Sequence, residues 1–291
     1  MIIGVLGKGG VGKSTLSTQI ALFLAQKNDV LAIDGDHNID FIYNLNRGSL
    51  PEMMYLGNAK QELFEYLGIA SDVQYKKIDL TSIEKRFCFT LDKIDDFTGQ
   101  HITKLSDGLY ALAAGPQNDD VLYGKACSHS LSAPLKVYLP LLELSENEYV
   151  VLDEKAGADG ASTGIISGVD VCAIVTDASL HGTKTAKQIS KILDFYQVPY
   201  VFVLNKITDE EDVKFCQEAL GQDEVFYFPI NKSIMREPGI MIADWQETLG
   251  RLVNKLKSKT QGDRFARTVE KFKKQRDYDE GKDKVLLSPC S

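Results

Sequence analysis

The stretch Gly7-Lys8-Gly9-Gly10-Val11-Gly12-Lys13-Ser14-Thr15 decides the fold of this chain. An apolar run of strand type, residues 2–6, precedes it, and a helical pattern over residues 13–26 follows it. Glycines allow positive φ angles and carry no Cβ, so backbone N–H groups can converge on phosphate oxygens at the positive end of the helix. Strand, glycine loop and helix with the spacing G-x-x-x-x-G-K-S therefore form the pattern of a phosphate-binding P-loop.

Two side chains of this loop carry specific chemistry. Lys13 can reach the β- and γ-phosphates of a nucleotide, and the Ser14 hydroxyl can complete a Mg²⁺ shell. The alternative, a glycine-rich turn that binds nothing, is disfavoured by the strand and helix patterns on either side. The predicted nucleotide-binding residues of the loop are Gly7, Lys8, Gly9, Gly10, Val11, Gly12, Lys13, Ser14 and Thr15.

Short apolar runs recur along the chain, and several are followed by turn residues and a helical pattern. This alternation predicts an α/β fold: a mostly parallel, twisted sheet with helices on both faces, in three α/β/α layers. A second helix is predicted over residues 183–196, with an apolar stripe that includes Ala186 and Ile189. The predicted strands are residues 2–6, 30–33, 109–113, 149–152, 171–176 and 200–204.

The sequence predicts one large domain followed by a short C-terminal segment. Residues 1–258 are predicted to form one P-loop domain, with residues 47–107 as an insertion on the sheet that contains a helix near 61–67. Residues 259–291 are predicted to form a charged C-terminal helix and tail, loosely ordered from residue 277 onward. The stretch Phe87-Cys88-Phe89 fits no predicted element.

Bulk properties exclude several classes of protein. A net charge of −8 argues against a broad surface for nucleic acid or anionic membrane. The 5 cysteines include no C-x-x-C pair, which argues against a disulfide framework and a zinc ribbon. No stretch approaches the roughly 20 apolar residues of a membrane helix, and residues 1–6 are not a signal sequence. We therefore expect a cytoplasmic protein that does not bind nucleic acid.

Carboxylates follow two of the predicted strands. Asp34 and Asp36 end the strand at 30–33, and Asp153 ends the strand at 149–152. The carboxyl ends of parallel strands border the phosphate crevice, where carboxylates can hold Mg²⁺ through water or orient an attacking water. Ordinary turn chemistry could also explain Asp-Gly-Asp, and an aspartate often ends a strand.

Lys8 gives the loop a further resemblance. Lys-Gly-Gly-x-Gly-Lys-Ser resembles the deviant Walker A motif of the family that contains the nitrogenase iron protein, the MinD and ParA ATPases and the nickel-inserting CooC ATPases. The resemblance implies a Mg²⁺-dependent ATPase that binds ATP or ADP and closes as a homodimer around ATP. Lys8 would then reach the partner's phosphates, as an arginine finger does; the alternative is a solvated loop lysine. Lys8, Lys13 and Asp36 are the predicted catalytic residues.

Two segments resemble the family's switch regions. Residues 34–38 resemble the first, with His37 where the family has proline, and this implies that Asp36 positions water and that Asp34 supports the magnesium shell. Residues 153–157 resemble the second, with Lys155 where members carry proline or glutamate. By the resemblance, Asp153 contacts Mg²⁺ through water. The predicted Mg²⁺ residues are Ser14, Asp34, Asp36 and Asp153.

Residues on the base side are predicted by a weaker match. Asn205 and Lys206 close a strand as the family's adenine-side asparagine does, and its amide can pair with the base edge. Phe228-Pro229-Ile230 resembles the opposite wall of the base site, which makes Pro229 a candidate contact. Guanine readout is disfavoured because Thr208 stands where an N-K-x-D motif has its acid.

Several local matches favour the CooC branch, which implies a client metalloenzyme. CooC proteins carry a C-x-C pair that binds metal between subunits, whereas this chain has Cys127-Ser128-His129. One thiolate and one imidazole per subunit could complete a four-ligand Ni or Zn site in a dimer. An ordinary buried cysteine beside an exposed histidine is the competing interpretation.

The rival class positions cell components, as MinD and ParA do. Phe265, Val269 and Phe272 share one face of a predicted basic helix that a membrane could contact. Acidic residues follow this helix, so we expect it to lie on the protein surface. Iron–sulfur reductase activity is disfavoured because only Cys127 falls in a suitable place, and Lys8 argues against a dethiobiotin-synthetase-like ligase.

Overall fold

The computed structural model describes residues 1–117, 119–125, 127 and 130–281. Within these residues the strands form one 8-stranded sheet in the order β3-β4-β2-β5-β1-β6-β7-β8. β3 pairs antiparallel with β4, and the other neighbouring pairs are parallel, which confirms the predicted fold class. The strands are β1 (Ile2–Gly7), β2 (Asp29–Asp34), β3 (Thr103–Ser106), β4 (Leu109–Ala113), β5 (Glu148–Asp153), β6 (Val171–Thr176), β7 (Tyr200–Ile207) and β8 (Phe226–Pro229).

Helices cover both faces of this sheet. Their bounds are α1 (Lys13–Ala25), α2 (Asp40–Leu45), α3 (Lys60–Leu67), α4 (Asp96–His101), α5 (Asp119–Leu122), α6 (Leu135–Leu141), α7 (Gly157–Ser162), α8 (Leu180–Tyr196), α9 (Glu210–Leu220), α10 (Gln246–Lys259) and α11 (Arg264–Asp279). In the described part of the chain, no helix combines the length and apolar character that crossing a membrane requires.

The six predicted strands are all present, whereas β3 and β8 were not predicted. Both lie at the edges of the sheet and have four residues, with every second side chain more exposed. A central parallel strand is covered on both faces and gives a continuous apolar run, whereas β3 and β8 are short and only every second side chain is more buried. Segments of four residues therefore gave no clear strand signal in the sequence.

Alternation along β1 divides the core into two layers. Ile3 and Val5 face the layer that α1 and α10 cover, and Ile2 and Leu6 face the layer that α8 and α11 cover. The predicted stripe of α8 is confirmed, because Ala186 is 1% exposed and Ile189 is 0% exposed. Both faces of the central strand β1 are thus covered by helices. The P-loop follows the carboxyl end of this strand, where the sheet ends.

The region of residues 47–107 packs on the second layer of the core. Phe87, which the sequence left unassigned, is fully buried and contacts Tyr138 of α6 at a ring-centroid distance of 4.5 Å. Phe97 of α4 joins the same aromatic cluster at 5.6 Å from Phe87. Phe64 of α3 belongs to the same core as Leu6 of β1. This region therefore shares its hydrophobic core with the sheet.

Helix α11 is part of the folded body. Phe272 is 1% exposed, and Phe265 packs against the same core. Arg264 donates to the carbonyl oxygen of Leu142, and Arg267 donates to that of Ser167 at 3.2 Å. The helix continues to Asp279, so the prediction of a loose tail from residue 277 was wrong for residues 277–279. Residues 282–291 of the predicted tail lie outside the described residues.

Candidate nucleotide site

The P-loop lies at the carboxyl end of β1, between β5 on one side and β6 on the other. The chain leaves β1 toward β2 and later returns to build β6 to β8 on the opposite side, so the loop occupies the switch point of the sheet. Helix α1 begins at Lys13, and its N-cap residue Gly12 has φ 90° and no side-chain cap. Because no side chain caps the first turn, its N–H groups and the helix dipole are available to an anion.

Glycines shape the loop where other backbone and side chains approach it. A Cβ added at Gly7 would lie 2.3 Å from the carbonyl oxygen of Val175, and one added at Gly12 would lie 2.3 Å from Nδ2 of Asn205. Gly10 has φ 82° but no atom within 4 Å of its added Cβ, so its requirement is conformational alone. Gly7, Gly10 and Gly12 are thus explained by two close approaches and two positive φ angles.

Two side chains at the end of β7 brace the loop from outside. Asn205 donates from Nδ2 to the carbonyl oxygen of Val11 at 2.9 Å, and Lys206 donates from Nζ to that of Gly10 at 2.7 Å. Lys206 has φ 61°, a left-handed conformation that costs energy for a residue with a side chain. The structure therefore places both predicted base-side residues on the P-loop backbone. Base contact by Asn205 stays a prediction.

Asp153 lies beside the start of α1. Its Oδ2 accepts from the Ser14 hydroxyl at 2.6 Å, and its Oδ1 accepts from the Ser17 hydroxyl at 3.0 Å. The structure thus brings together the hydroxyl and carboxylate that were predicted to hold Mg²⁺, and both are the oxygen ligands this ion prefers. Ser17 was missed, although its position one helical turn after Ser14 places it on the same face.

Burial and mutual repulsion act on the carboxyl groups at this edge. Burial raises the pKa of Asp153 to about 6, while the hydrogen bonds from Ser14 and Ser17 and the charge of Lys13 oppose this rise. Burial and the neighbouring Asp153 raise the pKa of Asp34 well above its usual value. Concentrated negative charge of this kind suits a divalent cation, which supports the fit of the site to Mg²⁺.

The two aspartates of the first switch segment have different surroundings. Asp34 is fully buried, and its carboxylate accepts backbone N–H groups from Phe41 at 2.9 Å and from Asp36 at 3.1 Å. Asp36 is 20% exposed at its side chain and accepts from the N–H of Asn38 at 3.3 Å. Asp34 therefore holds the loop in shape, and Asp36 keeps its carboxylate at the surface of the site.

The second switch segment is buried against the first. Glu154 is fully buried, its Oε2 accepts from the N–H of Lys155 at 3.1 Å, and its Oε1 has no hydrogen-bond partner within the described chain. Burial raises the pKa of Glu154 to about 8. An added Cβ at Gly9 would lie 3.7 Å from Cβ of Ala156, so the P-loop and the second switch lie side by side. A change at the phosphates can reach this segment directly.

The two lysines of the P-loop differ in exposure. Lys13 is 8% exposed, and its positive charge lies close enough to Asp153 to lower the pKa of the Asp153 carboxyl group. Lys8 is half-buried, and its ammonium makes no hydrogen bond or ion pair to residues 1–117, 119–125, 127 or 130–281. Lys13 is therefore buried near a carboxylate of its own subunit, whereas Lys8 is more open to groups from outside it.

The predicted far wall of the base site is partly core. Phe228 is fully buried and packs on Trp245 at a centroid distance of 4.8 Å, while Pro229 is exposed at the end of β8. Gln19 of α1 was missed as an anchor of the following loop: it donates to the carbonyl oxygen of Ile240 at 2.8 Å and accepts from the N–H of Ile242 at 2.9 Å. No local signal marks a glutamine whose partners lie 221 and 223 residues away.

The predicted transition-metal pair is described only in part. Cys127 is exposed, and His129 lies outside the described residues. Among the residues that the structure describes, no group of three or more His, Cys, Asp or Glu is arranged to hold a metal. Mg²⁺ needs no such group, because it takes several ligands from water and phosphate.

Known proteins are similar to this chain over most of its length. The sequence profile of the CobQ/CobB/MinD/ParA nucleotide binding domain matches residues 2–284. An uncharacterized ATP-binding protein of Methanocaldococcus jannaschii is 29% identical over 240 residues, which cover 81% of this chain and 90% of that protein. The carbon monoxide dehydrogenase accessory protein CooC of Rhodospirillum rubrum is 25% identical over 246 residues, covering 84% of this chain and 87% of CooC.

The fold has solved counterparts as well. A ParA family ATPase from Chlorobium tepidum superimposes with a TM-score of 0.56 at 17% identity, covering 93% of this chain and 98% of that chain. With its P-loop braced from β7 and its hydrogen bond between Ser14 and Asp153, the chain is an ATP-binding protein that belongs to the CobQ/CobB/MinD/ParA nucleotide-binding family.

Proposed function

We propose that this chain is a slow Mg²⁺-dependent ATPase whose ATP-bound homodimer acts as a switch in the assembly of a metalloenzyme centre. The observation that carries the proposal is the half-buried Lys8 in a P-loop that other residues of its own subunit hold in place. The Ser14 hydroxyl donates to Asp153, and two carbonyl oxygens of the loop accept from Asn205 and Lys206. A half-buried lysine at the phosphate site without a partner in the described chain is suited to phosphates that a second subunit holds.

Each residue of the site has a separate task in this proposal. Lys13 and the uncapped N-terminus of α1 bind the phosphates, and Lys8 neutralises charge that develops on the phosphoryl group of the partner subunit's nucleotide. Asp36 orients the attacking water from the surface of the site. Bound Mg²⁺, held by Ser14 and through water by Asp153, would neutralise charge on the β- and γ-phosphates.

The second switch segment would change conformation when ATP is hydrolysed. Gly9 lies beside Ala156, and α7 begins at the next residue, Gly157, which has φ 85°. A glycine in the left-handed region at this position can change its backbone angles without the cost that a side chain imposes. Loss of the γ-phosphate would thus reposition α7 and release the client.

The metalloenzyme role rests on two further points. The R. rubrum relative is an accessory protein of carbon monoxide dehydrogenase, and it matches 84% of this chain. The rival role, spatial positioning by a membrane-bound dimer, would need a free apolar face on α11, yet Phe272 is 1% exposed within the core. The net charge of −8 disfavours the DNA-bound form of that role.

The dimer is tested by light scattering coupled to size-exclusion chromatography, with ATP turnover measured on the same samples. Wild-type protein should dimerise with ATP and Mg²⁺, and Asp36→Ala should dimerise but turn over roughly a hundredfold more slowly, because the water is no longer positioned. Lys8→Ala should lose both dimer and turnover, while Lys27→Ala, at an exposed lysine outside the site, should behave as wild type.

Two results would refute parts of this proposal. A Lys8→Ala protein that dimerises and hydrolyses ATP normally would remove the shared active site. ATP-dependent co-sedimentation of Asp36→Ala with anionic liposomes would favour the positioning role over metalloenzyme assembly.

A further inference from the structure

A groove that no P-loop residue lines is not used by the proposed ATPase. It lies between the end of α7, the end of α8 and one face of α11, and has a cavity volume of about 380 Å³. That volume is within the usual range for small-molecule sites, roughly 300–1,000 Å³. Its walls include Thr163, Phe195, Tyr196, Lys271, Lys274 and Tyr278.

The groove is amphipathic. Phe195 is 47% exposed and Tyr278 is 59% exposed, so two large rings border it without being covered by the described chain. Arg267, Lys271 and Lys274 bring positive charge to the same groove, whereas Glu270 is the acidic residue among those that line it. An apolar wall with an excess of positive charge is complementary to an organic anion with an apolar body.

The cations of the groove are not equivalent. Arg267 is committed to the fold, because its guanidinium donates to the carbonyl oxygens of Ser167 and Gln197. Lys274 pairs with Glu270 at 3.7 Å on the exposed surface of the helix. Lys271 has no hydrogen-bond acceptor or carboxylate partner among the described residues, and its Nζ lies 4.8 Å from the ring centroid of Phe272. Lys271 is therefore the cation that lacks a counter-charge.

The absence of a side chain at Gly164 leaves room for the ammonium group of Lys271. An added Cβ at Gly164 would lie 2.3 Å from Nζ and 2.7 Å from Cε of Lys271, and Gly164 has φ 79°. The turn after α7 thus leaves open the space that the ammonium occupies. Burial, and then the charge of Lys136, lower the pKa of Lys271 to about 8, as expected for an ammonium that lacks an anion.

We propose that this groove is an effector site that binds a small organic anion, with its carboxylate, sulfonate or phosphate on Lys271 and its apolar body against Phe195, Tyr196 and Tyr278. Ser162, the last residue of α7, and Thr163 line the groove, and α7 continues directly from the second switch. The affinity of the groove is therefore coupled to the bound nucleotide. The coupling rests on the switch proposed above, whereas anion binding to Lys271 does not.

The site is tested by fluorescence titration of the full chain with anilinonaphthalene sulfonate, an amphipathic anion. Lys271→Met keeps the length of the side chain and removes the charge, so the dissociation constant should rise roughly tenfold or more. Lys273→Met, at an exposed lysine of α11 that does not line the groove, is the matched control and should bind as wild type. Naphthoate should displace the probe, and neutral naphthamide should not.

The coupling is tested by repeating the titration with ADP and with a non-hydrolysable ATP analogue, with occupancy of the P-loop confirmed by a fluorescent nucleotide. The two states should differ in probe affinity by roughly fivefold, and the probe should shift nucleotide affinity by the same factor. Equal probe affinity at full nucleotide occupancy would overturn the coupling. Unchanged binding to Lys271→Met, or displacement by naphthamide as strong as by naphthoate, would overturn the site itself. Melting curves of Lys271→Met check that the variant is folded.

Discussion

Helices α1 and α11 differ in how their N-termini are capped. Helix α1 has Gly12 as its N-cap, without a side-chain cap and without an acidic residue in its first turn. Helix α11 has Asp263 as its N-cap, and the carboxylate of Asp263 accepts from the N–H of Phe265 at 2.8 Å. One N-terminus is open to an outside anion, and the other is closed by its own chain.

The two helices also differ in what holds them. Helix α1 lies between the sheet, α2 and α10, and its buried side chains include Leu16 and Ile20. Helix α11 buries a narrower face around Phe272, and its arginines donate to backbone carbonyls of neighbouring loops. The N-terminus of α1 is left open for a ligand, and this helix is held in place by its buried apolar side chains. Helix α11 lies at the periphery, and its N-cap and its hydrogen bonds to neighbouring loops also hold it.

The largest expected effect is on the attachment of α11. Phe272→Ala should lower the free energy of unfolding by about 3–5 kcal/mol, because it leaves a cavity at a fully buried ring. Tyr278→Ala on the same helix removes a ring that is 59% exposed and should change it by no more than about 0.5 kcal/mol. Urea unfolding measures both, and a small effect of Phe272→Ala would mean that α11 is not part of the core.

The next effect compares two glycines of the P-loop. Gly12→Ala adds a clash with Asn205 to a positive φ and should cost about 2–3 kcal/mol and abolish nucleotide binding. Gly10 also has a positive φ, but an added Cβ would meet no atom there. Gly10→Ala should therefore lower the free energy of unfolding by about 1 kcal/mol. Thermal melts and fluorescent-nucleotide titrations give the two quantities.

The clash itself is separable from the backbone strain. In an Asn205→Ala background, Gly12→Ala should cost no more than Gly10→Ala does, because the atom it meets is gone. If the cost of Gly12→Ala is the same in both backgrounds, the close approach of Asn205 is not what requires glycine at this position.

The smallest effect is on the cap of α11. Asp263→Ala should lower the free energy of unfolding by about 1 kcal/mol, because the N–H of Phe265 loses its acceptor. Asp263→Asn keeps an acceptor and should lie within a few tenths of wild type. Equal losses for the two variants would show that charge, and not the cap hydrogen bond, accounts for the effect, and the contrast with the open end of α1 would weaken.

The sequence was most informative where structure and function use the same local pattern. The P-loop, six strands and the stripe of α8 were predicted because each is a periodic or spaced motif within a short stretch. The braces from Asn205 and Lys206 and the anchor of Gln19 were not predicted, because their partners are about 200 residues away in the chain. The edge strands β3 and β8 were missed because a segment of four residues carries too little periodic signal.

The sequence by itself determined that this chain has a phosphate loop between a strand and a helix, with aspartates at the ends of neighbouring strands. Those features follow from glycine conformations and apolar periodicity, which are properties of nearby residues. Only the tertiary structure decided that Asp34 holds a loop, that Ser17 shares Asp153 with Ser14, and that Lys271 is seated against Gly164 without a counter-charge. Burial and pairing depend on which distant segments meet, and that is settled by packing on the sheet.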